Sequence, residues 1–375
     1  MVILVKIIID ARTATPHFPG IGRYTSNLIE ALTSFHGQIS IHVIKNQTQV
    51  HSYASQSYSS TITKTSVFSL NQQWVVPKLI DKASGSLYHS TYYLMPYMVR
   101  IPVVFTCYDL IPIVYPKYFK PFQRSIYKIA HLIASKVSSH VIAISESTKS
   151  DLIKHFAVEE EKISVIPLAA DTRFSQQTEK SIDDIRSVYS LPVRYCLYVG
   201  TNKPHKNLLG LIKAWRFLYE NKSLDGYSLV IAGHWDARYP EAKEFVSKYN
   251  LSKVVKFIGD VEDEHLPSIY SGAALFIHPS LYEGFGLPII EAMTCGTAVA
   301  CSNISSLPEV AGNAAAFFNP TDPMDIAAAL GDVIADKSKL DSLREKSIHQ
   351  SARFSWHQTA LHTIEVYQKA CIPFL

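Results

Sequence analysis

The chain has little of what several protein classes require. Only 18% of its 375 residues are charged, and only five are cysteines. No stretch approaches the ~20 uninterrupted apolar residues of a membrane-spanning helix. Cys107, Cys196, Cys295, Cys301 and Cys371 are odd in number and scattered, with no metal or redox spacing. That argues against a disulfide framework and fits a reducing, cytoplasmic setting. No Asp-x-Asp occurs, and the 15 histidines never show close ligand spacing, so no metal centre is expected. Basic helices, zinc spacings and aromatic RNA-binding patterns are also missing, so nucleic acid is not an expected partner. The apolar stretch Met1–Asp10 lacks a basic leader region and a small-residue cleavage site, and runs straight into a polar loop. It reads as the first core strand of a parallel sheet.

What is present is a globular chain, 47% hydrophobic, with enough apolar residues for two cores. Apolar runs alternate with helix-like stretches, so the fold class is α/β with parallel sheets. In the first half strands are expected at 2–9, 39–44, 86–89, 102–106, 140–144 and 163–166, and helices near 21–35, 71–82, 120–136 and 146–155. Residues 46–70 are rich in Ser, Thr, Gln and Tyr and read as a surface loop. A polar stretch from Asp171 marks a linker, taken as 173–190 between domains at 1–172 and 191–355. The second series places strands at 195–199, 228–233, 254–259, 273–278 and 297–301, with helices at 207–219, 239–249, 263–271, 322–335 and 338–351. A final amphipathic stretch occupies 356–375.

Charge is uneven. Residues 1–175 carry 17 Lys and Arg against 10 Asp and Glu, a balance of +7, while the rest carry 19 against 22, a balance of −3. A basic first half suits an anionic acceptor, peripheral attachment to an anionic membrane face, or equally a solvated basic face with no partner.

The most informative segment is His278–Thr294. A buried strand runs into a Gly-Phe-Gly-Leu-Pro turn, and Pro288 suits the first position of a helix. A helix N-terminus offers free N–H groups and a partial positive charge, which favours phosphate. Glu283 lies in the loop and Glu291 one turn into the helix. Carboxylates repel phosphate, so their partners are hydroxyls. Amides for phosphate and carboxylates for hydroxyls are together what a nucleotide sugar requires. A second segment, Val199–Leu208, has Gly200 ending a strand and Lys206 at a helix start, another diphosphate-binding arrangement.

At Ser280-Leu-Tyr-Glu-Gly-Phe-Gly-Leu-Pro-Ile-Ile-Glu291 the chain resembles the retaining glycosyltransferases of family 4, whose signature is a Glu-x7-Glu pair. The resemblance implies the GT-B architecture: two Rossmann-like domains facing across a cleft, the first binding acceptor and the second the nucleotide sugar. It also implies a C-terminal helix crossing back to the N-terminal domain. It further implies metal-independent hexosyl transfer from a UDP- or GDP-sugar to a glycan or lipid-linked acceptor in polysaccharide biosynthesis, with no cofactor beyond that co-substrate. By the same resemblance Glu283 and Lys206 are the catalytic residues. Gly22, Thr201, His205, Val261, Phe285, Gly286, Leu287 and Glu291 join them on the donor. Protonated His205 would supply a second, pH-dependent positive charge where many members carry arginine. Tyr108 and Asp109, at the end of a buried strand, fall on the acceptor side. Family members often have His-Asp there; a phenol is a poor base near neutral pH. Two other readings are a nucleotide-sugar-binding protein without turnover and a GT-B phosphorylase or epimerase.

Overall fold

A computed structural model describes residues 5–15, 17–47, 58–224 and 226–371. The chain forms two compact units: one runs to Leu168 and regains the stretch from Ser355, and the other is Ala169–Phe354.

The first unit comprises β1 (Val5–Asp10), α1 (Pro19–Thr33), β2 (Ile39–Asn46), β3 (Ser59–Thr63), α2 (Gln72–Ala83), β4 (Leu87–Ser90) and β5 (Val103–Cys107). It continues through α3 (Ile111–Val114), α4 (Pro121–Val137), β6 (His140–Ala143), α5 (Glu146–Phe156) and β7 (Ile163–Val165). Its seven strands pair in the order β3-β2-β1-β4-β5-β6-β7, all parallel. A parallel sheet is covered on both faces, which is why β1 and β5 are nearly unbroken apolar runs. One face packs Ile8, Tyr88, Phe105 and Val141 against Val76 and Ile80 of α2, Ala134 of α4 and Leu152 of α5.

The second unit holds α6 (Glu179–Val188), β8 (Tyr195–Val199), α7 (Leu208–Glu220), β9 (Ser228–Ala232), α8 (Glu241–Lys248), β10 (Val255–Gly259) and α9 (Leu266–Ser271). It ends with β11 (Leu275–His278), α10 (Leu287–Thr294), β12 (Ala298–Ser302), α11 (Leu307–Ala311), β13 (Ala315–Phe318), α12 (Pro323–Ile334) and α13 (Lys337–Ser351). The strand order is β10-β9-β8-β11-β12-β13, again parallel. Trp215 of α7 is fully buried and its indole N–H donates to Val254 O at 3.1 Å.

The last helix, α14 (Trp356–Cys371), belongs to the first unit and packs on α1, β4, β5 and β6. A buried polar chain fixes it. His89 links the Tyr367 hydroxyl at 2.7 Å to Thr106 Oγ1 at 2.8 Å, and Thr106 meets Tyr24 OH at 3.1 Å. Thr359 donates to Pro167 O at 2.8 Å.

Three departures from the sequence reading have physical causes. The expected loop 46–70 contains β3, a polar edge strand that hydropathy does not mark. Its backbone pairs with β2, and His42 bonds Ser59 Oγ at 2.8 Å and Thr61 Oγ1 at 3.0 Å. Residues 48–57 of that stretch, and residues 2–4 of the expected first strand, lie outside the described residues. The expected linker 173–190 contains α6, capped by Thr178 and packed on α9 with Ile182 buried. Strand β13 was not anticipated because four residues at a sheet edge carry no usable period.

Two buried histidines make the first unit acid-sensitive. Burial pushes His89 and His131 from the usual 6.5 to about 3. Unfolded, each ring takes a proton near 6.5; folded, it stays neutral down to about 3. The unfolded state therefore binds more protons across that window, and stability falls as pH drops below about 6.5, by up to ~1.4 kcal/mol per pH unit for each ring. The unfolding midpoint of this unit should fall between pH 7 and pH 5; a flat profile would contradict the burial of these rings.

Candidate active site

The site is assembled where β8 and β11, neighbours in the second sheet, both end. Ligands of open α/β sheets bind at these carboxyl ends. After β8, Pro204–Lys206 forms a 3₁₀ turn, and Asn207 enters α7 in the left-handed region. The Asn207 amide donates to Pro279 O at 3.1 Å and Pro320 O at 2.7 Å, while Leu281 N–H donates to His205 O at 2.7 Å. These bonds tie the Lys206 loop to the loop after β11.

That proximity brings three side chains onto one carboxylate oxygen. Glu283 Oε1 accepts from Lys206 Nζ at 2.6 Å, Ser280 Oγ at 2.7 Å and His278 Nε2 at 3.0 Å. The loop backbone is held from the far side: Ser305 and Ser306 donate to Glu283 O at 2.6 and 3.0 Å, and Ser306 also to Phe285 O at 2.9 Å. Glu283 is 8% exposed. Burial alone would raise its carboxyl; the Lys206 charge and the His278 hydrogen bond outweigh that and hold it well below the usual carboxylate range. It is an anion at neutral pH. His278 is 1% exposed, and burial pushes its ring down against the pull of Glu283, so it is a neutral donor through Nε2. Its Nδ1 is buried without a hydrogen-bond partner.

Gly286 precedes α10 at φ +107, a conformation suited to glycine, and a Cβ there would meet Leu307 Cδ2 at 2.8 Å. Helix α10 begins at Leu287 with no side-chain cap; Pro288 has no N–H and Ile289 N–H donates to Gly286 O at 2.9 Å, so it is the Leu287 N–H of the first turn that stays available for an anion. Phe285 is buried against Phe354, their ring centres 6.0 Å apart. Glu291, one turn in, is buried and receives Tyr270 OH on Oε2 at 3.1 Å.

Beside this cluster a cavity of about 310 Å³ opens at the ends of β8, β9 and β10. Its lining includes Gly200, Asn202, Gly233, Trp235, Lys243 and Phe257. Lys243 Nζ lies 4.2 Å from the Trp235 ring centre, and Trp235 stands edge-on to Phe257. Gly233, at φ +123, keeps the three strand ends together: its N–H donates to Gly259 O at 2.7 Å, and a Cβ would come within 2.5 Å of Gly200 O.

The pattern of the family described as "Glycosyl transferases group 1" matches residues 183–350, and that of "Glycosyltransferase Family 4" matches 19–174. The O-antigen chain mannosyltransferase B of Escherichia coli is 31% identical over 284 residues, 75% of this chain and 74% of that protein. The chain belongs to the family 4 glycosyltransferases. A second Escherichia coli relative, the serotype-specific mannosyltransferase WbdA, is 32% identical over 73% of this chain, which spans only 35% of that longer protein. Among solved structures, a sucrose-phosphate synthase from Thermosynechococcus elongatus superposes with a TM-score of 0.78 at 20% identity, covering 97% of this chain and 98% of that one. HepE from Anabaena, solved with UDP and glucose, gives 0.76 at 18% identity over 97% and 99%. These likenesses show the GT-B fold of this glycosyltransferase.

Of the residues expected at the site, Lys206, Glu283, Phe285, Gly286, Leu287 and Glu291 lie on these two connected loops and the first turn of α10. Thr201 follows β8, its carbonyl accepting from Tyr198 OH at 2.7 Å, and Val261 is half-buried after β10. His205 is a correction. It is 8% exposed, and burial together with Lys206 pushes its ring to about 4, so it carries no charge near pH 7. Gly22, Tyr108 and Asp109 lie in the first unit. Gly22 is inside the first turn of α1, with its N–H donating to Phe18 O at 2.7 Å. Tyr108 stands edge-on to Tyr24, and burial raises its phenol well above the usual value, so it is no base. Asp109 accepts Ile111 N–H at 3.0 Å and so caps the turn into α3. Among the described residues no three His, Cys, Asp or Glu side chains form a metal-holding group. His278, Ser280 and Trp235 had no role in the sequence reading. A histidine closing a buried strand five residues before the motif glutamate was the available signal for the first.

Proposed function

We propose that this glycosyltransferase is a retaining hexosyltransferase of polysaccharide biosynthesis. It would move mannose, the sugar in the names of its bacterial relatives, from a nucleotide-diphosphate donor to a glycan or lipid-linked oligosaccharide. The observation that carries this is Lys206 and Glu283 sharing one oxygen contact at 2.6 Å beside the start of α10. In the proposed complex Lys206 and the amides at Phe285–Leu287 hold the diphosphate, and Glu283 turns its charge to sugar hydroxyls. Glu291 takes the ribose diol, and the cavity walled by Trp235 and Phe257, next to Val261, takes the base. Transfer proceeds on one face of the sugar. The anomeric C–O bond to phosphate breaks, the acceptor oxygen bonds to the same carbon, and its proton passes to the departing diphosphate. Lys206 and the helix end stabilise the growing charge, a role for which this reading needs no metal. The basic first unit is proposed to take the acceptor and to meet an anionic membrane face peripherally.

Thermal shift with GDP-mannose, GDP, UDP-glucose and UDP tests the reading, since a ligand at ~100 times its Kd stabilises by about 2.7 kcal/mol. GDP-mannose or a UDP-hexose should raise the midpoint. In Glu291→Ala the shift should shrink and donor KM rise with kcat little changed, because a ribose contact is made equally in ground and transition states. No shift with any nucleotide sugar, or an unchanged KM in the variant, would remove this site from donor binding.

A further inference from the structure

The first unit carries an apolar stripe that the fold leaves uncovered. In α4 (Pro121–Val137) Phe122, Ile126 and Ile129 stand at i, i+4 and i+7, one helical face, and are 74%, 44% and 57% exposed. Val137, 39% exposed, continues the same face at the far end of the helix. The opposite face does the packing: Ala130, His131, Ala134 and Ser135 are buried, and Tyr93 stands edge-on to Tyr127 and tilted against His131. The exposed stripe is therefore not needed to hold α4 on the sheet. A helix that packs well with one face and presents phenylalanine and isoleucine on the other is built for a second partner.

Charge identifies the partner. From residue 110 to residue 145 the sequence contains no Asp or Glu, while Lys117, Lys120, Arg124, Lys128 and Lys136 fall within it. All four of those lysines are exposed. A second copy of this chain would have to meet five positive charges with five of its own. An anionic bilayer answers both features at once: its headgroups neutralise the lysines while its acyl boundary takes the phenylalanine and isoleucines. Lysine stems are long enough to run past the apolar side chains and carry their charged ends to the headgroup layer.

We propose that α4 is an in-plane lipid-docking helix, seating the first unit on an anionic membrane surface through Phe122, Ile126 and Ile129. The inference rests on the proposed use of a membrane-borne acceptor and assigns that attachment to one surface. Each basic residue near such a surface strengthens partitioning roughly five-fold, and each buried apolar side chain adds to it.

The test is co-sedimentation of the full chain with vesicles made of equal parts phosphatidylglycerol and phosphatidylcholine. The protein should pellet at low salt, stay in solution with pure phosphatidylcholine, and be released in about 1 M NaCl, where the Debye length is about 3 Å. Phe122→Ser/Ile129→Ser should weaken partitioning on the order of ten-fold, and Lys120→Gln/Lys128→Gln roughly 25-fold. These side chains are exposed, so circular dichroism and the unfolding midpoint should match the wild type. The proposal is overturned if the wild type does not pellet, if it pellets equally on neutral vesicles, or if Phe122→Ser/Ile129→Ser pellets as before. A drop in oligomeric size in that variant with unchanged lipid retention would give the stripe to a second copy, and also overturns it. Donor hydrolysis, assayed without vesicles, should be the same in both variants and the wild type. Absence of hydrolysis throughout would count against glycosyl transfer and leave the lipid result standing.

Discussion

Replacing Lys206 by alanine should lower kcat by roughly 10²–10³, about 2.7–4 kcal/mol of transition-state stabilisation. Negative charge on the leaving diphosphate grows as the glycosidic bond breaks, so a fixed cation there acts more on the transition state than on the bound donor. Donor KM should therefore move little. The substitution also takes from Glu283 the cation 2.6 Å away, leaving Oε1 to His278 and Ser280. The unfolding midpoint must be measured alongside, so that lost activity is not mistaken for lost fold. Single-turnover rates at saturating donor read the effect directly. Full activity in Lys206→Ala would place the phosphates away from this loop.

Gly233→Ala should be the most damaging small change in the second unit. A methyl group there would sit 2.5 Å from the carbonyl oxygen of Gly200, backbone against backbone, at a φ of +123 that L residues rarely adopt. No side chain can swing away to relieve it, so the ends of β8 and β9 must separate. Strain and overpacking together cost on the order of 3 kcal/mol. That would lower the unfolding midpoint of a unit this size by roughly 6–12 °C. The same shift distorts the cavity that Gly200 and Gly233 both line, so nucleotide affinity should fall as well. A midpoint equal to the wild type would mean that these strand ends tolerate movement.

What was legible in the sequence was mostly local. The passage from strand to glycine turn to helix start at residues 278–294 is written in contiguous residues, as is the turn before α7. Ser145, the residue before α5, accepts Thr148 N–H at 3.0 Å, another contact between near neighbours in the chain. Contacts across the sheet were not legible. Lys206 and Glu283 are 77 residues apart and meet only because β8 and β11 are neighbours, an order that no spacing encodes. The charge on His205 was misjudged because burial, invisible in a list of residues, decides it. The Trp235–Phe257 wall joins the segments that follow and form two strands, each unremarkable alone. Strand β3 escaped because its partners are hydroxyls and backbone.

The return of α14 to the first unit imposes an order on the birth of the protein. The sheet of that unit is complete at Val165, yet the helix that packs on β4, β5 and β6 begins at Trp356. At ~5–20 residues per second the ribosome needs roughly 10–40 s to make the intervening chain. Through that interval the nascent first unit holds a sheet with one incomplete face and a His89 still lacking its Tyr367 partner. The second unit, one continuous stretch from Ala169 to Phe354, can close meanwhile. Of these two units, the one made earlier is thus the one finished later.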